Sequence, residues 1–305
     1  VERRPSLGSQ LARSVALGLH RARPGAGDSR ARPLFVIGSG RSGNTLMRRL
    51  LMASGEIYLP PETYVLGEII ERWPRGALLS WYERVWLFCA YFEKHPEFPT
   101  FALDNLNAFA DEAVALPPPA RNLRSLFETF YRHLARQHGS AAHRWGDKTP
   151  YNTVHLPAID ALFPDAQYLW LLRDGRDVAL SYVQAGLYDD LGAAAERWVS
   201  ANRACAALAR RGRDVYRQSY EDLVTAPERS VRAIYGWAGL DYAPGVLTDS
   251  GGAMGDVERR AHHGNVRRPI SAASVGRWRA QLGPADLRQM PEAFAPLLAE
   301  YGYPG

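Results

Sequence analysis

The chain has 305 residues, 46% hydrophobic and 23% charged, with a formal charge of +5 and a pI near 9.3. This composition excludes a disordered, collagen-like or membrane-embedded protein, since no apolar run reaches the length of a membrane span. Two cysteines, Cys89 and Cys205, exclude a disulfide scaffold and a CxxC metal pair, and read as reduced core thiols of a cytoplasmic protein.

Residues 1–32 are rich in Arg, Gly, Ser and Pro and read as a basic, flexible N-terminal arm. The chain does not open on Met, which is compatible with a removed targeting segment and then with a lumenal setting. The core begins at "PLFVIG", a short unbroken apolar run expected as a strand buried on both faces. A glycine turn and a helix from Thr45 follow, then a short strand "IYL" ending at Pro60 and Pro61. Residues 64–139 read as several helices, broken at "ALPPPARN", whose aromatic stripes are core or the wall of a second-substrate pocket. Strands then alternate with helices. "HRWGDKTP" holds a short strand, "TVHLPAIDALF" a helix, "AQYLWLLRD" a buried strand and "GRDVALSYVQAG" a helix. A helix over 190–211, the strand and loop "DVYRQSYEDL", and a helix opened by Pro227 come next. A long glycine-rich, charged loop (244–270) and two helices near 271–281 and 284–300 complete the chain. The alternation predicts an α/β fold over 33–305, a P-loop-type parallel sheet flanked by helices, with 64–139 as a helical insertion. Its ligand belongs beyond the carboxyl ends of the strands, where Gly38, Asp147 and Arg173 fall.

"GSGRSGNT" (38–45) has the glycine spacing of a Walker A loop, but Asn44 stands where the lysine belongs. Backbone N–H groups at a helix N-terminus bind phosphate with or without that lysine. The missing ammonium argues against ATP or GTP and for a shorter anionic group. Arg41 and Lys148 are the candidates for the missing charge. Lys148 is one of only two lysines, against 35 arginines, in a composition that points to GC-rich, bacterial coding.

"GSGRSGNTL" resembles the 5′-phosphosulfate loop of sulfotransferases that use 3′-phosphoadenosine 5′-phosphosulfate (PAPS). "LLRDGRDVALSY" resembles their 3′-phosphate motif, and "WGDKTPYN", "YEDLVTAPE" and "SVGRWR" resemble further parts of the superfamily. Their order and spacing, over about 34–282, resemble the branch with tyrosylprotein and carbohydrate sulfotransferases. The resemblance implies that Gly40, Arg41, Ser42, Gly43, Asn44 and Thr45 hold the 5′-phosphosulfate, with Asn44 in place of the usual Thr. It implies that Arg173 and Ser181 bind the 3′-phosphate. Arg41 and Lys148 then stabilise the charge that builds on the bridging oxygen.

Glu62, in "LPPETY", matches the Glu-Thr of the tyrosylprotein branch, in which that Glu is the base; as an alternative it caps the following helix. Desolvation would raise its pKa and a nearby Arg41 would oppose this. His143 and His155 are rival bases. Tyr220 is expected beside the adenine, Arg267 or Arg268 at the 3′-phosphate, and Ser271 or Ser274 at the phosphosulfate. The pair His262 and His263 lacks a convincing third ligand and reads as a solvated loop, so no metal is expected. The resemblance implies PAPS as donor and a hydroxyl acceptor: a carbohydrate, glycolipid, secondary metabolite or tyrosine. No nucleic-acid platform is visible, and the oligomeric state is open, a homodimer included. Two other functions compete. One is a Mg-dependent P-loop nucleotide kinase with Asp174 as the metal acid, and the other is a non-catalytic nucleotide-binding module.

Overall fold

All five residues of "LFVIG" (β1, Leu34–Gly38) are buried, as a strand covered on both faces requires. The computed structural model describes residues 32–248 and 270–303. The arm up to residue 31, His262, His263, Arg267 and Arg268 therefore lie outside the described residues.

Helix α1 (Asn44–Met52) and strand β2 (Ile57–Tyr58) follow β1. Between β2 and strand β3 (Arg144–Asp147) the chain forms α2 (Leu66–Arg72), α3 (Trp81–Glu93), α4 (Asn107–Val114) and α5 (Leu123–Gln137). Two of these helices start where side chains replace missing backbone partners. Ser80 and Glu83 make a reciprocal capping box on α3, and Asn122 accepts from the Ser125 N–H on α5. Then come α6 (Leu156–Leu162), β4 (Gln167–Leu172), α7 (Gly175–Gln184), α8 (Leu191–Arg210) and β5 (Asp214–Ser219). Helices α9 (Tyr220–Thr225), α10 (Pro227–Ala238), α11 (Trp278–Gln281), α12 (Pro284–Leu287) and α13 (Phe294–Glu300) complete the described chain.

The sheet runs β2-β3-β1-β4-β5, and every pairing is parallel. Phe35 pairs with Asp147 and Gly38 with Leu171, so three strands end along one edge, at Gly38, Asp147 and Leu172. Side chains alternate across β1, as a period of two requires. Leu34 and Val36 pack with Leu50, Leu51, Val231 and Ile234 from α1 and α10. Phe35 and Ile37 face the other way, into a cluster with the helices between β2 and β3. There the aromatic stripes are core: the Phe92 and Phe130 rings lie 4.3 Å apart, and Phe88 packs against both Phe109 and Phe127.

The opposite edge of the sheet is tied by a buried guanidinium. Arg144 donates to the carbonyls of Arg32 and Ala238 and to Gln167 Oε1, and burial lowers its pKa to about 10.

Two local expectations change. "YEDL", expected as loop, is the start of α9, because Ser219 accepts from the Asp222 N–H and opens a helix. The helix expected at 271–281 shortens to Trp278–Gln281, and that at 284–300 splits in two. Gly276 sits at φ 70°, and the Asp177 carboxylate takes the N–H groups of Gly276 and Trp278, which fixes a turn there.

Candidate active site

The turn after β1 is built by glycines that no other residue can replace. At Gly38 (φ 127°) a Cβ would lie 2.3 Å from the Leu171 carbonyl oxygen, so β1 and β4 approach as closely as they do only without it. At Gly43 (φ 91°) a Cβ would meet the Tyr220 ring at 2.7 Å. Gly43 is also the N-cap of α1 and provides no side-chain cap, which leaves the first-turn N–H groups free of one. Such a helix start carries partial positive charge and suits an anion. Asn44 does not reach outward; its Nδ2 donates to the Ser39 carbonyl at 2.9 Å and braces the turn. Ser42 Oγ and Asn44 Oδ1 are buried without a hydrogen-bond partner, and Thr45 is half-buried in the first turn of α1. Gly40 lies under Tyr182 of α7, whose hydroxyl is 3.3 Å from Ser39 Oγ.

Gly43→Ala is expected to cost about 1–3 kcal/mol, because alanine must adopt positive φ and displace Tyr220. Urea unfolding measures the loss, and calorimetric titration with adenosine 3′,5′-bisphosphate should show weakened binding.

The two predicted anion motifs meet. Arg41 Nε donates to Ser181 Oγ at 3.0 Å, across 140 residues of sequence. Arg173 donates from Nη1 to the Arg41 carbonyl and from Nη2 to the Ser274 carbonyl, at 2.8 and 2.6 Å. Its guanidinium lies 4.5 Å from the centre of the Tyr220 ring, and its Nε is buried without a partner. Arg41, Arg173, Ser181, Tyr220 and Ser274 thus form one cluster around the turn. Ser271, the alternative to Ser274, is exposed and accepts from the Ala273 N–H. Burial lowers the pKa of Arg41; Tyr182 and Glu62 oppose this, and the neighbouring Arg173 adds to it.

The third component comes from the loops after β2 and β3. Lys148 is almost wholly buried, and its Nζ lies 2.5 Å from Glu62 Oε1. Glu62 is close enough to Arg41 to influence its ionisation. One carboxylate therefore meets an ammonium at the carboxyl edge of the sheet. Backbone strain gathers here too. Of the three non-glycine residues with positive φ among the described residues, Arg41 (64°) lies in the turn after β1 and Tyr64 (44°) in the loop after β2.

Other candidates are placed elsewhere. His155 pairs with Glu71 of α2 at 2.8 Å and packs against Gly67, and His143 is exposed beside β3. Asp174 accepts from Arg176 and from the Trp278 indole, and Arg176 itself stacks 3.8 Å from the Trp278 ring centre. That carboxylate caps α7 and holds the C-terminal segment, a structural task that a magnesium acid would not share. A groove of about 700 Å³ between α8 and α13, lined by Arg203, Arg210, Glu292, Leu297 and Tyr301, contains none of the motif residues.

Sequence reasoning overlooked Thr63, Tyr131, Asn152, Asp177 and Tyr182, which hold the site from behind. Apart from Asn152, which donates to Asp147 five residues before it, their polar contacts join residues far apart in sequence, and spacing along a helix or strand carries no sign of them. "ETY" and "DKTPYN" did mark Thr63 and Asn152 as belonging to motifs, without giving them a role. Chemically, the assembly can bind a doubly anionic ligand along the turn and α7, and bring a carboxylate and an ammonium to the end of it.

A family model described as the sulfotransferase family matches residues 33–244. The chain is 25% identical to protein-tyrosine sulfotransferase 2 of Gallus gallus, covering 88% of this chain and 69% of the relative. It is 27% identical to protein-tyrosine sulfotransferase 1 of Homo sapiens, with the same coverage of 88% and 69%. Among solved structures, the sulfotransferase domain of the Synechococcus PCC 7002 olefin synthase shares the fold, with a TM-score of 0.62 at 23% identity over 90% of this chain and 96% of that one.

Proposed function

Since this chain belongs to the sulfotransferase family, we propose that Glu62, Lys148 and Arg41 carry out the transfer of a sulfuryl group to a hydroxyl. The protein is a PAPS-dependent sulfotransferase. The observation that carries the residue assignment is the Glu62–Lys148 pair at the carboxyl edge of the sheet.

The turn fits a sulfonated nucleotide. Buried Ser42 Oγ and the uncapped N-terminus of α1 supply hydrogen bonds for the 5′-phosphosulfate, with Gly40, Gly43, Asn44 and Thr45 forming its bed. Arg173 Nε and Ser181 Oγ are offered to the 3′-phosphate; Tyr220, against the Arg173 guanidinium, is offered to the adenine, and Ser274, whose carbonyl Arg173 holds, to the phosphosulfate. In the reaction the acceptor oxygen bonds to sulfur as the bond from sulfur to the bridging phosphate oxygen breaks. The acceptor proton passes to Glu62. Adenosine 3′,5′-bisphosphate leaves, its new charge met by Lys148 and Arg41. Cations aimed at that oxygen help most when its charge is largest, in the transition state.

The acceptor belongs on the side of the helical insertion, because Glu62 opens the loop that leads into α2. The curated relatives named above are protein-tyrosine sulfotransferases. A peptide tyrosine, a carbohydrate, a glycolipid and a secondary metabolite are the acceptor classes to separate. The arginine-rich composition and the buried free cysteines favour a bacterial protein of the cytoplasm.

Two measurements test this reading. Labelled sulfate should move from PAPS to one of these acceptor classes in the presence of a chelator, whereas a kinase would require ATP and magnesium. Adenosine 3′,5′-bisphosphate at 100 times its dissociation constant should stabilise the fold by about 2.7 kcal/mol. No thermal shift with that nucleotide would remove the donor assignment.

A further inference from the structure

Asp147 ends β3 fully buried, and the roles proposed above leave it without one. Its Oδ2 accepts from the Tyr131 hydroxyl at 2.5 Å and from Thr63 Oγ1 at 2.8 Å, and its Oδ1 accepts from Asn152 Nδ2 at 2.7 Å. The Thr63 N–H in turn donates to Thr149 Oγ1 at 2.9 Å. The residues on either side of Lys148 therefore both grip the residue that follows Glu62. Two groups 86 residues apart are locked to each other through their immediate neighbours. Tyr131 adds a third link, from α5 of the helical insertion. Its phenol is fully buried, which raises its pKa well above the ordinary range, with Asp147 adding to the effect; it stays protonated and donates. Burial also raises the Asp147 carboxyl, opposed by hydrogen bonds from Tyr131, Thr149 and Thr63.

We propose that Asp147 is the positioning residue for the Glu62–Lys148 pair, and that Tyr131 fastens this pair to the helical insertion. The proposal rests on the assignment of Glu62 as base. A carboxylate whose neighbour is held at two points keeps its approach to the acceptor fixed, and misplacement of a reacting group by about 1 Å can cost 100-fold in rate.

The test uses Thr63→Val and Tyr131→Phe, each of which deletes one donor at nearly constant volume, alongside Asp147→Asn. Each should lower kcat by about tenfold to 100-fold. Affinity for adenosine 3′,5′-bisphosphate, read by calorimetry, should not change, since no donor-binding group moves. In a Glu62→Gln background the same substitutions should cost less than in the parent, because the part of their effect that acts through Glu62 is already lost and only the part acting through Lys148 remains. Parental kcat in Thr63→Val and Tyr131→Phe overturns the proposal. So does an equal loss in the Glu62→Gln background, or donor affinity that falls in step with kcat. If Asp147→Asn fails to fold, the other two variants decide. Near-normal turnover by Glu62→Gln itself is a different result and overturns the base assignment.

Discussion

Glu62→Gln is expected to lower kcat by about 10²–10⁴-fold, the range for loss of a positioned general base. Glutamine keeps the size of the side chain and an oxygen for Lys148, so the fold and donor binding should persist. The capacity to take the acceptor proton is removed together with the charge that faces the buried Lys148, so urea unfolding is read beside activity. Glu62 lies 2.5 Å from Lys148 and is partly exposed, which gives an acceptor hydroxyl a way in. The alternative reading, in which Glu62 caps the next helix, is not what the geometry offers: α2 has no side-chain cap and begins at Leu66, beyond Glu62. A single-turnover assay with PAPS and a competent acceptor, next to a calorimetric titration of adenosine 3′,5′-bisphosphate, checks both halves of the expectation. Turnover close to that of the parent would transfer the base role elsewhere.

Lys148→Ala is expected to reduce kcat by about 10²–10³-fold, or 2.7–4 kcal/mol of barrier, the cost of one charge-stabilising donor. Binding of the donor nucleotide should fall far less, because the proposed assignment gives its phosphates to the turn, Arg173 and Ser181. The substitution also leaves Glu62 without its ammonium partner. Since Lys148 is almost wholly buried, stability should drop as well. Urea unfolding separates this loss from the catalytic one. Lys148→Gln, which retains a hydrogen-bond donor without the charge, gives the same test if the alanine variant is too unstable to assay. A kcat within a few-fold of the parent in a folded variant would show that Arg41 and the turn suffice.

The two substitutions also inform each other. If Lys148 only oriented Glu62, its loss in a Glu62→Gln background would be silent. If it meets the leaving oxygen, the loss remains in that background, as independent contributions add.

Sequence by itself determined the parts that repeat or follow a local rule. Apolar runs at β1 and β4, periodic helices and a glycine turn with Asn44 in the lysine position are all statements about near neighbours, and they led to the parallel sheet and to the proposed anion site. The failures divide the same way: a serine cap, a local rule, converted an expected loop into α9, whereas Asp177 broke an expected terminal helix through contacts about 100 residues away. Only the tertiary structure decided how Glu62 meets Lys148, how Arg41 meets Ser181, and that Asp147 with Tyr131 holds the first of these pairs in place. Short-range pattern reports which face of an element is buried. The position of one buried polar atom relative to another depends on the crossover that sets β3 beside β1, and that order is a property of the assembled sheet.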